Sequence, residues 1–456
     1  MFNLNWKKGL AVSLSAILVS AALIACGNQK SASQSQAPAP AGNAGTTQAA
    51  GAEKKEGDAG SQEASSEPVK LTMWAMSDDE ACYQAVIEEY QKDHPNVEIE
   101  MVLYSSSEIA GALTTALAGR DDIDLFVTNG GQYLAAMIGA GMAENLDEYI
   151  KVSGFDTSIF GSDYENALYN DGSAYGLPYR NSVSLLIYNK DFFDEKGVEY
   201  PNADTTWDEL NEIAEKMTWG EGADKVYGFY NADRNTDWMG PATTNGTTFL
   251  SDDLSLIQKA MEIKVDACER GAMLSNAAYK AAGIGVRNMF TSGKSSMYVG
   301  GDWTIRQLRG DKENGSFTYN WDVAPMPTLG EGYAKDTCMG QYVYISVCSY
   351  SEKKQAAYDF LQFLCGEPGG MIFAEMGTLP AIRTEAAKTA FCGDGSQAPA
   401  SIATYFDTNT VQGAPVRNGM SELDTFVKAE ADLVFNGEQT AEEAVKKLYE
   451  EQKKYK

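Results

Sequence analysis

The long stretch from Val69 to Lys456 constrains the fold most, because short apolar runs alternate along it with amphipathic helical patterns. This alternation is typical of α/β layers built on a largely parallel sheet. A stretch of about 390 residues also exceeds what one hydrophobic core usually accommodates. The sequence therefore predicts a large α/β protein with at least two lobes.

The first βαβ unit can be placed directly on the chain. A strand is predicted over Leu71–Met76, followed by an amphipathic helix and a half-buried strand. The apolar positions are Tyr83, Val86, Ile87 and Tyr90 on the helix, and Val97, Ile99, Met101 and Leu103 on the second strand.

Two later helices have a start signal of their own. Thr206 with Glu209 and Thr440 with Glu443 have the spacing of a capping box, and an apolar-periodic stretch follows each pair. We expect these helices to begin near the two threonines.

The N-terminal residues resemble an export signal. Lys7 and Lys8 precede an uncharged apolar run over Leu10–Ala25, which is shorter than the roughly 20 residues that a membrane-spanning helix needs. Cys26 follows directly, as in the lipobox of bacterial lipoproteins, whose cysteine is lipidated and becomes the first mature residue. We expect a signal peptide over residues 1–25 and a lipid anchor on Cys26; an ordinary signal peptide with an incidental cysteine is the alternative.

Residues 26–68 read as a lipidated cysteine followed by a disordered linker. Small and polar residues dominate residues 27–68, which contain no aromatic or large aliphatic side chain. Such a segment cannot build a core, and it is expected to hold the folded body off the membrane surface.

The formal net charge of −28 argues against nucleic acid or an anionic lipid surface as a partner, because both would repel the chain. Six cysteines follow the lipidated one and contain no CxxC pair. They are predicted to be buried small hydrophobic residues, with one or more disulfides as the alternative, because secretion permits oxidation. These cysteines are Cys82, Cys268, Cys338, Cys348, Cys365 and Cys392.

A series of short blocks resembles one family. The order and spacing of the blocks are similar to those of the family 1 extracellular solute-binding proteins of ABC importers, the group that contains the maltose-binding protein. The blocks are Asp171–Tyr179, Leu185–Asp191, Thr206–Leu210, Phe290–Met297 with Gly301–Trp303, Trp321–Pro327, and Ala356–Leu361 with Leu379–Ala381.

The resemblance implies a two-lobed periplasmic-binding-protein-like fold of type II. Its ligand cleft lies between two α/β lobes joined by crossing hinge strands, which are expected near Asn181–Ser184, Gly340 and Gly377. Closure of such lobes is a population shift toward the state that the ligand contacts best. The expected lobes are 69–182 with 341–377 and 183–340 with 378–456.

Sugar sites combine stacking aromatic side chains with planar hydrogen-bonding partners, because sugars present apolar faces ringed by hydroxyls. Trp303 falls where the family places a stacking tryptophan, with core packing as its alternative. Trp238, in a polar loop, is predicted to be exposed and to offer a second stacking surface. Asp78 or Asp302 could instead cap a helix, and Arg180 could form a hinge salt bridge. The expected ligand-binding residues are Ser77, Asp78, Asn129, Gln132, Tyr179, Arg180, Trp238, Asp302, Trp303, Gln341 and Tyr342.

Enzymatic function is disfavoured by the residue inventory. His94 is the only histidine and lies in a polar turn, so histidine-dependent triads and multi-histidine metal sites are excluded. Gly293–Ser295 resembles the end of a P-loop, but Asn288 stands where that motif requires glycine. We expect no catalytic residue, metal or cofactor; a surface carbohydrate-active enzyme with paired carboxylates stays open.

The function implied by the resemblance is capture of a mono- or oligosaccharide and its delivery to an ABC transporter permease. The receptor is expected to be a monomer, lipid-anchored to the cell membrane on its extracellular face. Two alternatives stay open: the same fold binding a polyamine, phosphodiester or metal complex, or a surface glycan adhesin or signalling receptor. Because aromatics and amides outweigh clustered cations at the loop positions, the sequence disfavours an anionic solute.

Overall fold

The fold is described by a computed structural model over residues 67–231 and 234–456. The expected signal peptide, Cys26 and nearly all of the linker fall on residues 1–66 and lie outside the described residues. None of the helices in the described ranges has the length and apolar character of a membrane-spanning segment.

Strands and helices alternate along the chain. The strands are β1 Val69–Met76, β2 Val97–Tyr104, β3 Leu125–Asn129, β4 Leu177–Asn189, β5 Met297–Gly301, β6 Trp321–Ala324, β7 Thr337–Val347 and β8 Asn409–Gln412. The helices are α1 Glu80–Asp93, α2 Ile109–Gly119, α3 Gly131–Gly139, α4 Asp147–Ser153, α5 Lys190–Lys196, α6 Trp207–Lys216, α7 Asn235–Trp238, α8 Gly240–Thr243, α9 Ser255–Glu269, α10 Asn276–Ala282, α11 Val286–Thr291, α12 Trp303–Glu313, α13 Lys354–Cys365, α14 Glu367–Glu375, α15 Glu385–Cys392, α16 Thr404–Asp407, α17 Met420–Phe435 and α18 Ala441–Glu451.

The predicted βαβ unit is confirmed. β1 and β2 pair in parallel with Val69 opposite Val97, and α1 connects them with its four predicted apolar side chains buried. The two capping boxes are also confirmed, at the first turns of α6 and α18. His94 ends α1 and stacks on Tyr90 with ring centroids 4.1 Å apart, so it is a turn residue as predicted.

The prediction of a largely parallel sheet is wrong. The strand order is β2-β1-β3-β7-β4-β5, with β6 paired to β4 and β8 paired to β7. The β1–β2, β1–β3 and β7–β8 pairs are parallel, whereas β7 is antiparallel to both β3 and β4, and β4 is antiparallel to β5 and β6. The sheet is mixed because β4 and β7 cross its centre side by side in opposite directions.

Strand β4 changes partners in its middle. From Leu177 to Val183 it pairs with β7, and from Ser184 onward it pairs with β5. The last β7 partner of this strand is Gly340, opposite Val183. One continuous strand therefore runs through both parts of the sheet.

Separate hydrophobic cores lie on the two sides of this change. The first core contains apolar residues of β1, α1, β3, the start of β4 and α13. The second contains the second half of β4 with residues of α6, β5 and β6. A third cluster packs α9 against α17 and α18.

The six described cysteines have free thiols. Cys82, Cys338, Cys348 and Cys365 are buried, so the prediction of buried small hydrophobic residues is confirmed for these four. Cys268 and Cys392 are partly exposed.

Candidate functional site

A cavity of about 480 Å³ lies where β4 and β7 run side by side. Its volume falls within the range of about 300–1,000 Å³ that is usual for small-molecule sites. Its lining residues are Met76, Asp78, Ser106, Asn129, Arg180, Ser182, Ser184, Arg234, Thr236, Trp303, Arg306, Gln307, Met339, Gly340 and Gln341.

Strand β4 contributes one face to the cavity. Arg180, Ser182 and Ser184 are spaced by two residues, so their side chains point to the same side of the strand. Across the pairing, Gln341 and Gly340 of β7 complete this wall. The two serines were missed from the sequence, although their period-two spacing after Arg180 is the signal that would have found them.

Trp303 is the aromatic side chain among the described lining residues, and it is partly exposed. It is the first residue of α12 and follows Gly301 at the end of β5. A Cβ at Gly301 would lie 1.9 Å from the indole ring, so only glycine permits this ring position. The Arg234 guanidinium lies over the ring, 5.9 Å from its centroid.

A buried ion triad underlies the cavity. Arg180 Nη1 donates to both carboxylate oxygens of Asp79 at 3.1 Å, and Nη2 donates to Asp302 Oδ2 at 3.2 Å. Burial acts to lower the pKa of Arg180, but the two carboxylates outweigh it and the pKa is raised. Burial raises the pKa of the Asp302 carboxyl, and Arg180 opposes the rise. The guanidinium is therefore a fixed cation at the floor of the site.

Two buried tyrosines hydrogen-bond to each other, and one of them also hydrogen-bonds to this triad. The Tyr179 hydroxyl donates to Asp79 Oδ2 at 3.2 Å and lies 2.5 Å from the Tyr83 hydroxyl. Burial raises the pKa of both tyrosines well above the ordinary value, so both hydroxyls stay protonated at physiological pH. Tyr179 therefore supports the site without lining it.

An amide pair forms another part of the wall. Gln341 Nε2 donates to the Asn129 side-chain oxygen at 3.0 Å and to its carbonyl at 2.9 Å. These hydrogen bonds fix the Gln341 amide of β7 against Asn129 at the end of β3, where the sequence predicted polar contacts. Gln132 lines a small adjoining pocket of about 20 Å³ that also contacts Gln341.

Helix α12 supplies two further polar side chains to the cavity. Arg306 and Gln307 lie three and four residues after Trp303, which places all three on one face of the helix. Arg306 reaches across to Thr378 Oγ1 at 2.9 Å and to the Asp78 carbonyl at 2.8 Å. Helical spacing from Trp303 is the sequence signal that would have found both residues.

The structure brings five of the predicted ligand-binding residues together at the cavity. These are Asp78, Asn129, Arg180, Trp303 and Gln341. It does not place the other six among the lining residues, which are Ser77, Gln132, Tyr179, Trp238, Asp302 and Tyr342. Asp302 is instead buried beneath the cavity, where it pairs with Arg180. This ion pair is the alternative role considered for Arg180, a salt bridge at the expected hinge.

The expectation that Trp238 is exposed is wrong. Its side chain is 1% exposed and packs edge-on against Phe435, with ring centroids 5.6 Å apart. The polar sequence around Trp238 forms the short helices α7 and α8, and the indole packs against α17. Tyr342 is 1% exposed, because on β7 it points to the face opposite Gln341 and into the first core.

The charge of the cavity also differs from the expectation. Three arginines line it, although the sequence indicated more amides and aromatics than clustered cations. Arg180 is paired with two aspartates, and Arg234 donates to Asp237 at 2.7 and 2.9 Å. The positive charge of these two arginines is therefore balanced within the protein.

Two α/β lobes on crossing strands, with a polar cavity that one partly exposed indole lines, define a two-lobed binding protein. The chain belongs to the bacterial extracellular solute-binding protein family, which it matches over residues 76–371. Family and fold are those of binding proteins, and the predicted fold class is confirmed.

Known relatives agree with this assignment. The chain is 25% identical over 415 residues to a lactose-binding protein of Rhizobium radiobacter, covering 84% of this chain and 92% of that protein. A sugar transporter of Rhizobium etli in an open conformation superposes with a TM-score of 0.75 at 26% identity, covering 85% of this chain and 100% of that one. An ABC substrate-binding protein of Listeria monocytogenes in complex with cycloalternan gives a TM-score of 0.74 at 23% identity, covering 85% and 99%.

Proposed function

We propose that the protein captures a mono- or oligosaccharide outside the cell and delivers it to an ABC transporter permease. The observation that carries this proposal is the cavity at the crossing strands, where one partly exposed indole is ringed by hydroxyl, amide and guanidinium groups. An indole face suits the apolar side of a sugar ring, and the planar polar groups suit its hydroxyls. The sugar ligands named for the relatives support the same class.

A neutral solute fits the electrostatics of the cavity. Arg180 and Arg234 line the cavity and are paired with carboxylates, and a guanidinium carries five N–H donors, so both are suited to hydroxyl oxygens and do not require a charged ligand. Asn129 and Gln341 add amide groups. A polyamine would be repelled by the Arg306 guanidinium, whose hydrogen-bond acceptors are uncharged, and this argues against that alternative.

Binding is proposed to close two lobes with the boundaries stated above, 69–182 with 341–377 and 183–340 with 378–456. The change of partners on β4 between Val183 and Ser184 supports the first boundary. The separate cores on either side of it support the assignment of most of the chain. Small-angle scattering with and without sugar tests this step, because lobe closure lowers the radius of gyration and an adhesin that stays open would show no change.

The remaining parts of the proposal concern location and partners. We propose a lipid anchor on Cys26, a position on the extracellular face of the cell membrane and a monomeric receptor without enzymatic activity. Loss of membrane association in a Cys26→Ala variant, with unchanged sugar affinity, is the expected result for the anchor. Membrane retention of that variant would contradict it.

The experiment that tests the function is a thermal-shift screen against neutral sugars, acidic sugars, polyamines and phosphodiesters. A ligand that binds the folded state raises the melting temperature by mass action. We expect a shift with neutral mono- or oligosaccharides, confirmed by calorimetric titration. A shift confined to charged non-sugars would contradict the proposed solute class.

A further inference from the structure

We infer that Arg306 closes one end of a longer sugar-binding groove and thereby limits the length of the oligosaccharide that the protein accepts. This inference rests on the proposed function of the same site. According to this inference, the Arg306 side chain determines whether the site accepts only short oligosaccharides or also longer ones.

A second cavity of about 440 Å³ lies beyond Arg306. Arg306 is the one lining residue that the two cavities share. The second cavity is formed by α12, the end of α14 and the end of α15 with the loop after it, and it is open to solvent. The Arg306 side chain therefore stands at the boundary between the two spaces.

Helix α12 runs along both cavities. Trp303 and Gln307 line the first cavity, and Arg309 and Glu313 line the second. At a rise of about 1.5 Å per residue, the stretch from Trp303 to Glu313 is about 15 Å long. The two cavities thus follow one another along a single helix, which is the arrangement that an extended chain of sugar rings requires.

The Arg306 guanidinium connects α12 to the turn after β1, to α1 and to the residues that follow α14. It donates to the Asp78 carbonyl at 2.8 Å and to Thr378 Oγ1 at 2.9 Å, and Cys82 Sγ lies 3.9 Å away. All three acceptors are uncharged, and the residue is partly exposed. Shortening this side chain removes the barrier between the cavities and leaves no buried carboxylate unpaired.

The second cavity has the chemistry to hold a further sugar ring. Arg309 is anchored by a hydrogen bond from Nε to the Ala398 carbonyl at 2.9 Å, which orients its guanidinium. The exposed carboxylates of Glu313 and Glu375 and the amide of Gln397 also line this space. Such planar donors and acceptors match vicinal hydroxyls, as they do in the first cavity.

The test compares affinities along defined series: mannose, mannobiose and mannotriose; glucose, maltose and maltotriose; galactose, lactose and galactosyllactose. Calorimetric titration of the wild-type protein identifies the series that binds. In Arg306→Ala, the affinity for the trisaccharide relative to the disaccharide should rise by about tenfold, equivalent to one additional favourable contact. Adding Arg309→Ala should abolish this gain, because it removes a donor of the second cavity.

Gln307→Ala is the matched control on the same helix. Gln307 lines only the first cavity, so its removal should weaken all lengths to a similar degree and leave the ratio unchanged. An unchanged ratio in Arg306→Ala would overturn the inference while leaving the proposed function intact. Absence of sugar binding by the wild-type protein would overturn both. If the alanine variant fails to fold, Arg306→Gln, which shortens the side chain but keeps its polarity, should shift the ratio in the same direction, and failure to do so overturns the inference.

Discussion

Arg180 Nη2 lies 3.2 Å from Oδ2 of Asp302, and this buried pair connects strand β4 to the residue that precedes α12. The same guanidinium is bound to Asp79, in the turn after β1. Each partner is next to a cavity residue: Asp79 follows Asp78, and Asp302 precedes Trp303. The ion triad therefore fixes the relative positions of the three segments that form the site.

Replacement of Arg180 by Met should lower the free energy of unfolding by about 3–5 kcal/mol, because it leaves two carboxylates buried without their cation. Urea unfolding followed by circular dichroism measures this change. Lys70→Met is the control, since Lys70 and Glu100 form an exposed pair with side chains 56% and 57% accessible. Exposed pairs contribute little, so this variant should unfold like the wild type. Similar effects of the two substitutions would contradict the structural role of the triad.

Asp302 predicts a specific dependence of stability on pH. Burial raises the pKa of its carboxyl in the folded state, so its contribution to stability is fully present below the unfolded-state pKa of roughly 3.9. That contribution is lost as the pH rises toward the folded-state pKa. Asp302→Asn does not titrate, and its melting temperature should therefore rise relative to the wild type as the pH increases above about 4.

Melting temperatures of both proteins across this range, recorded by differential scanning fluorimetry, give the comparison. Asp208→Asn serves as the control, because the Asp208 side chain is 79% accessible. This variant removes one carboxylate charge outside the triad, so it shows how much of the Asp302→Asn effect comes from the lost charge alone. A pH-independent difference for Asp302→Asn would show that Asp302 has the same pKa in both states.

Trp303→Ala should weaken sugar binding by about 1–3 kcal/mol, the size of a stacking contact together with its buried area. Trp219→Ala is a matched control, because Trp219 is also partly exposed but packs against Phe192 and Lys196 away from the cavity. Calorimetric titration with the sugar that binds the wild type should show unchanged affinity for the control. Equal affinities for both variants would remove Trp303 from the ligand contacts.

Local patterns allowed much of the fold to be predicted. The βαβ unit and the capping boxes at Thr206 and Thr440 depend on residues close together in the chain, and all were predicted. The antiparallel pairing of β7 with β3 and β4 was not, because it joins segments far apart in sequence. The side-chain periodicity of a single strand does not indicate whether the strand pairs in parallel or antiparallel with its neighbours.

The site was predictable where polar residues follow strands. Asp78 after β1 and Asn129 at the end of β3 were recognised by that position. Trp238 was misplaced because its polar neighbours indicate exposure, whereas Phe435, far along the chain, buries the ring. Helical spacing from Trp303 places Arg306 at the cavity. It does not predict the hydrogen bonds of Arg306 to Thr378 and to the Asp78 carbonyl, because these residues are far away in the sequence.

Gly301→Ala should reduce sugar affinity by displacing the Trp303 ring. The added Cβ would lie 1.9 Å from a ring carbon, so the indole must move from its position in the cavity wall. Calorimetric titration should show weaker binding, with a change in tryptophan fluorescence. Gly111→Ala in α2 is the control: nothing lies within 4 Å of its Cβ, and the substitution should stabilise the helix by about 0.5–1 kcal/mol without altering affinity. Wild-type affinity in Gly301→Ala would mean that the ring position set by this glycine is not the one that binds sugar.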